Sequence, residues 1–149
     1  MQFEGEITLN ASPEEVWETI SDPSALVSCI PGAEDIQRVT DDEYEGTIIQ
    51  RVAGYDLRIK GSVERVEVNP YESMVAIGKG SDKRAGKWTN AEGRAEMKLT
   101  ETETGTNLQY TVDAEISGRL ASLGARLLKP KINADIESFF ENIQEHIEE

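Results

Sequence analysis

The sequence predicts a single α+β domain in which one long C-terminal helix closes over a curved antiparallel sheet. Two patterns carry this prediction. Between residues 33 and 116, apolar and polar residues alternate in several runs separated by turn residues, which is typical of antiparallel strands. After Gly118 the apolar residues recur every three or four positions, as on one face of an α-helix. The 149 residues are enough for one domain with its own core, which we expect to span residues 1–149.

A strand and two short helices are expected first. Residues 2–9 alternate between apolar and polar side chains, as in a half-buried strand. The segment Ser12-Pro13-Glu14-Glu15 then has the features of a helix start, with a capping serine, a proline in the first turn and a glutamate that completes a capping box. Asp22-Pro23 ends this helix and begins a second short one, which ends at the Pro31-Gly32 turn.

The middle of the chain should supply the other strands of a sheet of about six or seven. Turn residues separate the alternating runs at Asp41-Asp42, Gly54, Asn69-Pro70 and residues 103–105. A polar loop is expected at residues 81–87. Because short turns connect consecutive strands, the sheet is expected to be antiparallel.

The last predicted element is one amphipathic helix from about residue 119 to residue 147. Its apolar stripe needs a partner, and the apolar face of the sheet needs a cover, so the two should pack together. Pro130 falls inside this helix and is expected to kink or divide it.

Many residues that should face the helix from the sheet are small. They are Gly46, Gly61, Ala91, Gly93, Ala95 and Ala114. Small residues either let a helix pack close to the sheet or leave a cavity, and periodicity alone favours neither interpretation.

The net charge of −14 bears on partners and on origin. An acidic surface repels phosphate backbones, so no nucleic-acid partner is expected. The charge is compatible with an ordinary acidic protein or with one adapted to a salt-rich cytoplasm, where counterions screen the repulsion. No run approaches the roughly 18 apolar residues of a membrane span, and residues 1–6 lack the features of a signal peptide. A cytoplasmic protein without an integral membrane segment is expected.

No catalytic residue, metal site or cofactor is expected. Cys29 is the single cysteine and His146 the single histidine, and they lie far apart in the sequence. A metal site would need several nitrogen or sulfur donors, and a free cysteine usually packs as a small apolar side chain.

Short segments spread through nearly the whole chain resemble one protein family. The most specific is Cys29-Ile30-Pro31-Gly32, which follows Asp22-Pro23. The others are Phe3-Glu4-Gly5, residues 11–17, Tyr44-Glu45-Gly46, Lys60-Gly61, Gly78-Lys79-Gly80, Glu92-Gly93-Arg94-Ala95, residues 118–128 and Phe139-Phe140. In this order they resemble the CoxG family, named for the G subunit of carbon monoxide dehydrogenase, within the SRPBCC (START/Bet v 1-like) superfamily.

The resemblance implies a helix-grip fold with an apolar cavity between the long helix and the sheet. It also implies an accessory role toward molybdenum-containing carbon monoxide dehydrogenases and related hydroxylases, either in membrane recruitment or in handling a lipid or quinone. Some members carry a C-terminal tail that looks like a membrane anchor, which this sequence lacks up to Glu149. We therefore expect a protein that is at most peripheral at the inner face of the membrane.

Two functions fit these features. The first is a non-enzymatic protein that binds an apolar small molecule such as a lipid or quinone. The alternative is an enzyme of the polyketide cyclase or dehydrase type that uses the same cavity. The residues expected to face inward include no acid or histidine, which favours binding because burying a lone carboxylate is costly. The predicted ligand-binding residues are Leu57, Ile59, Val63, Ala91, Ala95, Met97, Val112 and Ala114 of the sheet and Leu123, Leu127 and Ile136 of the helix.

Overall fold

The computed structural model describes residues 1–52, 54–84 and 87–148, with all side chains in these ranges except those of residues 23, 24, 27, 55, 83, 84 and 87. Its elements are, in chain order, β1 (Gln2–Leu9), α1 (Pro13–Ser21), α2 (Pro23–Cys29), β2 (Ala33–Arg38), β3 (Glu43–Val52), β4 (Tyr55–Asn69), β5 (Ser73–Arg84), β6 (Lys87–Thr102), β7 (Gly105–Gly118), a 3₁₀ helix (Arg119–Leu123) and α3 (Ala125–Glu148).

Within the described residues, seven strands form a single sheet in the order β1-β7-β6-β5-β4-β3-β2. Every neighbouring pair is antiparallel. β1 pairs with β7 across the length of the chain, so the two edge strands are β1 and β2. This confirms the predicted α+β architecture, with two short helices after the first strand and a long helix at the end.

The register of the strands sorts the apolar residues into rows across one face. Residues directly opposite each other on neighbouring strands point to the same face. One row runs from Gly5 through Tyr110 and Met97 to Met74. This face carries the helices, and we call it the concave face.

Two separate apolar clusters cover the two ends of the concave face. We call the first the α1 cluster; its buried members are Leu9, Ala11, Val16, Trp17, Ile20, Cys29, Met74, Met97, Leu108, Tyr110, Phe140 and Ile143. We call the second the Leu128 cluster; its buried members are Val52, Leu57, Leu120 and Leu128. α3 supplies Leu128 to one cluster and Phe140 and Ile143 to the other, so this helix spans the distance between them.

The start of α1 forms as its sequence predicts. The backbone N–H of Glu15 donates to Ser12 Oγ at 3.3 Å, and Pro13 occupies the first turn, where no intrahelical N–H bond is lost. Val16, Trp17 and Ile20 then form the buried face of the helix. This cap fixes where α1 begins, and thereby which of its residues enter the α1 cluster.

Three boundaries differ from the sequence prediction. The long helix begins at Ala125 rather than near residue 119, because Gly124 adopts a φ of 80° that an α-helix does not accommodate. Of the two outcomes expected at Pro130, division of the helix does not occur, since α3 continues to Glu148. The prediction of a polar loop at residues 81–87 is wrong, since β5 extends to Arg84 and β6 begins at Lys87.

No helix in the described part of the chain combines the length and the apolarity that crossing a membrane requires.

Added salt is expected to raise the melting temperature at pH 7. The net charge of −14 makes the folded chain repel itself, and molar NaCl screens that repulsion. A gain of about 1 kcal/mol corresponds to roughly 2–4 °C for a domain near this size. Differential scanning calorimetry from low to molar NaCl measures the change. The control is the same series near pH 4.5, the isoelectric point, where the effect should shrink. A melting temperature independent of salt at pH 7 would contradict the salt-rich-cytoplasm interpretation.

Candidate functional site

A cavity of about 340 Å³ lies over the concave face of the sheet, where residues of α2 and α3 also border it. Its floor consists of small residues on β3 to β7, namely Gly46, Gly61, Gly78, Gly80, Ala91, Gly93 and Ala114. Its walls are mainly aliphatic and comprise Leu26, Ile30, Ile36, Ile48, Ile59, Val63, Ile116 and Ile132. The cavity is therefore apolar on nearly every side.

The floor glycines have two different roles. A Cβ at Gly93 would meet only the Asp113 backbone oxygen, at 3.7 Å, and a Cβ at Gly78 would meet no atom closer than 3.8 Å. By contrast, a Cβ at Gly61 would collide with the Lys79 backbone oxygen, and one at Gly46 would collide with Ile36. Both interpretations of the small residues thus hold at different positions, since some permit close backbone approach and others leave open space.

The segment Cys29-Ile30-Pro31-Gly32 holds one wall in place. Cys29 is buried in the α1 cluster, and its carbonyl accepts a hydrogen bond from Asn142 Nδ2 of α3 at 3.0 Å. Gln50 Nε2 of β3 donates to the Pro31 carbonyl at 3.0 Å. Gly32 has a φ of 78°, and a Cβ there would collide with the Ile49 backbone oxygen. These contacts from α3 and β3 fix the segment on both sides and direct Ile30 at the cavity.

The cavity reaches the surface beside β3 and β4. Val63, which lines it, is 40% exposed. Tyr44 lies opposite Val63 in the register and also lines the cavity. Its hydroxyl donates to the Asp41 carbonyl at 3.2 Å, so the ring is held at this end with its polar atom already engaged. We call this the Tyr44–Val63 end of the cavity.

Four of the predicted ligand-binding residues line the cavity. They are Ile59, Val63, Ala91 and Ala114. All four lie on β4, β6 or β7 and face the concave side. The alternation of apolar and polar residues therefore predicted this part of the cavity floor and wall.

Six further predicted residues lie around the cavity rather than on its lining. Leu57 is buried in the Leu128 cluster, and Leu123 packs against that cluster from the 3₁₀ helix. Met97 is buried in the α1 cluster, which Val112 and Ile136 contact as partly buried residues. Ala95 lies one row from Gly93 on the concave face, directly opposite Val112 on β7.

The remaining predicted residue, Leu127, does not line the cavity, and its side chain is 56% exposed. Leu127 is adjacent to the buried Leu128, and adjacent helical residues are rotated by about 100° from each other. Only Leu128 shares the stripe with Ile132 and Phe140, four and twelve residues further on.

Several lining residues were not among the predicted ones. Leu26 and Ile30 come from α2 and the turn after it, and Ile132 comes from α3. The apolar spacing of these residues marks an inward face, but periodicity does not indicate which cavity such a face borders. Tyr44 was missed for the same reason. Gly78 and Gly80 also line the floor. The only sequence signal for this role is that both glycines lie in a predicted strand.

Catalytic chemistry finds little support in the side chains around the cavity. Burial raises the pKa of the Cys29 thiol, and the nearby Ser28 hydroxyl lowers it by less. This side chain is 2% exposed and stays protonated at neutral pH, so it is a poor nucleophile. Glu45, Lys79 and Glu92 border the cavity, but each is exposed and adjacent in sequence to a floor glycine, which places the side chain on the opposite face of the sheet.

Among the residues that the structure describes, no three or more histidine, cysteine, aspartate or glutamate side chains are grouped so as to hold a metal ion.

Comparison with known proteins places the chain in a family. The family model for CoxG, the G subunit of carbon monoxide dehydrogenase, matches residues 5–148. The chain belongs to the CoxG family. No curated protein sequence is significantly similar to this member of the family.

Solved structures support the same fold. A conserved protein from Geobacillus kaustophilus is 29% identical with a TM-score of 0.84, and the match covers 99% of this chain and 95% of that one. Protein CV1439 from Chromobacterium violaceum is 14% identical with a TM-score of 0.73, covering 99% and 98% of the two chains. Ara h 8.0201 is 13% identical with a TM-score of 0.67, covering 99% and 97%. The match to Ara h 8.0201 confirms the Bet v 1-like helix-grip fold.

Proposed function

We propose that this CoxG family member is a non-enzymatic accessory protein that binds an apolar molecule in the cavity between α3 and the sheet. The observation that carries the proposal is the cavity of about 340 Å³. Small-molecule sites in proteins are mostly apolar clefts of about 300–1,000 Å³ with few polar groups, and this cavity falls in that class.

The energetics of an empty apolar cavity support an occupant. The cavity walls expose aliphatic side chains, and each Å² of apolar surface that a ligand removes from water contributes about 25 cal/mol. Water inside the cavity finds few polar partners, because the lining is mainly aliphatic. An apolar molecule would restore the missing contacts of Ile59, Ile116 and Ile132 without displacing well-bound water.

We also propose a type of ligand and a partner enzyme. A lipid or a quinone-like molecule fits an aliphatic wall and a flat glycine floor. The family description names carbon monoxide dehydrogenase, which supports a molybdenum-containing enzyme of that type or a related hydroxylase as the partner. We further propose that the protein acts in the cytoplasm or peripherally at the inner face of the membrane.

The alternative of a polyketide cyclase or dehydrase has less support. Such an enzyme needs a titratable group directed at the substrate. Among the described lining residues, the acids and the lysine lie on the far side of the sheet, and the Tyr44 hydroxyl donates to a backbone carbonyl. These positions favour binding over catalysis.

Uptake of an apolar ligand should be detectable directly. Native mass spectrometry of protein purified from its own host, followed by organic extraction, is expected to show a bound apolar molecule. The stripped protein is then titrated with a fluorescent fatty acid and with a short-chain quinone. Ligand at 100 times its Kd should stabilise the fold by about 2.7 kcal/mol, which raises the melting temperature. If the stripped protein takes up no lipid or quinone, the binding proposal fails, and the protein is better explained as a docking protein that uses its outer surface.

A further inference from the structure

β1 lies at an edge of the sheet, so one side of its backbone has no neighbouring strand. Met1 and Ala114 of β7 exchange hydrogen bonds at 2.8 Å in both directions, and the register between the two strands is regular. In an antiparallel pair, every second residue makes such bonds, and the residues between them direct their N–H and C=O groups away from the partner strand. The backbone groups of Gln2, Glu4 and Glu6 therefore point outward from the sheet.

The two edges of the sheet are protected to different degrees. An exposed edge can pair with another chain, and proteins usually cover it, shorten it or interrupt its pairing. At the opposite edge, β2 has only six residues and its register with β3 shifts once. On β1, Gln144 Nε2 of α3 donates to the Thr8 carbonyl at 3.0 Å, and Glu148 of α3 accepts the Asn10 N–H at 3.3 Å. Within the described residues, α3 thus covers one end of β1, and the outward backbone groups at the other end have no partner.

At the uncovered end, β1 and α3 border an open groove of about 440 Å³. Its lining consists of Gln2, Phe3 and Glu4 of β1 and Ala125, Arg126, Lys129, Pro130 and Asn133 of α3. Arg126 and Lys129 are exposed, and among the described residues no carboxylate lies within ion-pair distance of either. Residues 116–134 include four basic residues and no acid, although the net charge of the chain is −14. The groove therefore combines free backbone groups with unpaired positive charge.

We propose that this groove binds an extended, acidic segment of a partner protein, which adds to the seven-stranded sheet as a further strand beside β1. Addition of a strand to an exposed sheet edge is a recurrent mode of peptide recognition, in which backbone hydrogen bonds supply affinity and side chains supply specificity. The positive charge of the groove complements the acidic side chains of such a segment. This inference goes beyond the proposed function and does not depend on the ligand in the cavity.

The two faces of β1 predict which side chains of the added strand should be acidic. Phe3 is buried on the concave face, which carries α3, whereas the Glu6 carboxylate accepts a hydrogen bond from Asn107 on the opposite face at 3.2 Å. Side chains of the added strand alternate between these faces. Those on the concave side approach Arg126 and Lys129 and should be acidic. Those on the other side lie beside the acidic side chains of β1 and should be neutral or basic, because like charges opposite each other destabilise a sheet.

A short capped peptide of alternating threonine and glutamate has this pattern, and a shift by one residue places its glutamates on the side of α3. Its affinity for the protein is measured by isothermal titration calorimetry at physiological ionic strength. The reference is a peptide with lysine in place of glutamate. The glutamate peptide should bind about tenfold more tightly, because Arg126 and Lys129 attract one peptide and repel the other.

Two further measurements test the added strand itself. In the complex with the glutamate peptide, amide hydrogen exchange of Gln2, Glu4 and Glu6 should slow by about tenfold or more, whereas that of Phe3, whose N–H already bonds to β7, should not change. Two variants of the peptide carry N-methyl groups, one on every threonine and the other on every glutamate. Alternate N–H groups of a strand point to the same side, so only one of these two peptides should lose its affinity.

The double variant Arg126→Gln/Lys129→Gln removes the positive charge of the groove and should lose the preference for the glutamate peptide. Both side chains are exposed, so this variant should fold as the wild type does. The matched control is Arg94→Gln, on the convex side of β6, where the native side chain is 53% exposed. The control should keep the tenfold preference. Should the double variant fail to fold, the exchange and N-methyl measurements on the wild type decide.

The remaining outcomes contradict the proposal. Equal affinity for the glutamate and lysine peptides, or protection of amides outside β1, would show that the groove does not bind an acidic strand. If neither peptide binds, two other occupants remain to be distinguished. A dimer with protected β1 amides would identify a second copy of the chain, and anionic vesicles that bind the wild type but not the double variant would identify a membrane surface. None of these results depends on uptake of a cavity ligand, so the proposed function is tested separately.

Discussion

Gly93→Leu is expected to abolish most ligand uptake while the protein stays folded. A Cβ at Gly93 meets open space apart from the Asp113 oxygen at 3.7 Å, so the leucine side chain can extend over the floor of the cavity. If it displaces about 100 Å² of ligand contact, the loss is about 2.5 kcal/mol, or roughly 70-fold in Kd. Stability should stay level or increase, because glycine weakens the interior of a strand. Titration with the fluorescent fatty acid, together with the melting temperature, measures both effects.

Two controls distinguish filling of the cavity from general disruption. Arg94→Leu places the same side chain at the next position of β6, on the opposite face, where the native side chain is 53% exposed; uptake should be unchanged. Gly61→Leu places it where a Cβ would already collide with the Lys79 backbone oxygen, so this variant should be strongly destabilised. Wild-type uptake by Gly93→Leu would show that the ligand binds elsewhere. Unfolding of Gly93→Leu would show that the floor is tightly packed.

The sequence predicted the concave face of the sheet well, because a strand has only two faces. Alternation places Leu57, Ile59 and Val63 on one side of β4, and the structure agrees. Alternation does not show how far along the strand the covering helices reach. Leu57 therefore lies in the Leu128 cluster, Met97 lies in the α1 cluster, and the cavity lies between them.

Residues that depart from the apolar pattern were the hardest to interpret. Arg65 continues the inward-facing register of Val63, yet its charge suggests a solvated position when the sequence is considered alone. Its burial depends on Asp42 and on the Asp41 carbonyl, which the β2–β3 turn brings to the same edge. Contacts between distant segments decide such a position, and local periodicity contains no information about them.

The long helix shows a similar limit. Its apolar stripe predicted that Phe140 and Ile143 are buried, and they are 3% and 0% exposed. The stripe did not distinguish Leu127 from Leu128, since the phase of a helix relative to the sheet depends on its starting point. Gly124 sets that point with a backbone conformation that other residues rarely adopt.

Phe140→Ala is expected to destabilise the protein by about 3–5 kcal/mol, the usual cost of removing a buried aromatic side chain. Phe140 stacks on Tyr110 with ring centroids 4.0 Å apart and meets Phe139 edge-on at 5.0 Å. These contacts attach the C-terminal half of α3 to β7 within the α1 cluster. Urea denaturation measures the loss as a lower midpoint, with an unchanged slope if the transition remains two-state.

Leu127→Ala is the matched control on the same helix. Because its side chain is 56% exposed, truncation should change stability by no more than about 0.5 kcal/mol and should leave ligand uptake unaltered. A loss for Leu127→Ala as large as that for Phe140→Ala would mean that α3 is rotated about its axis relative to the structure. The cavity would then be lined by a different face of α3. If Phe140→Ala is instead as stable as the wild type, the α1 cluster does not hold α3 in place. The position of Ile132 in the cavity wall would then have to depend on other contacts of the helix.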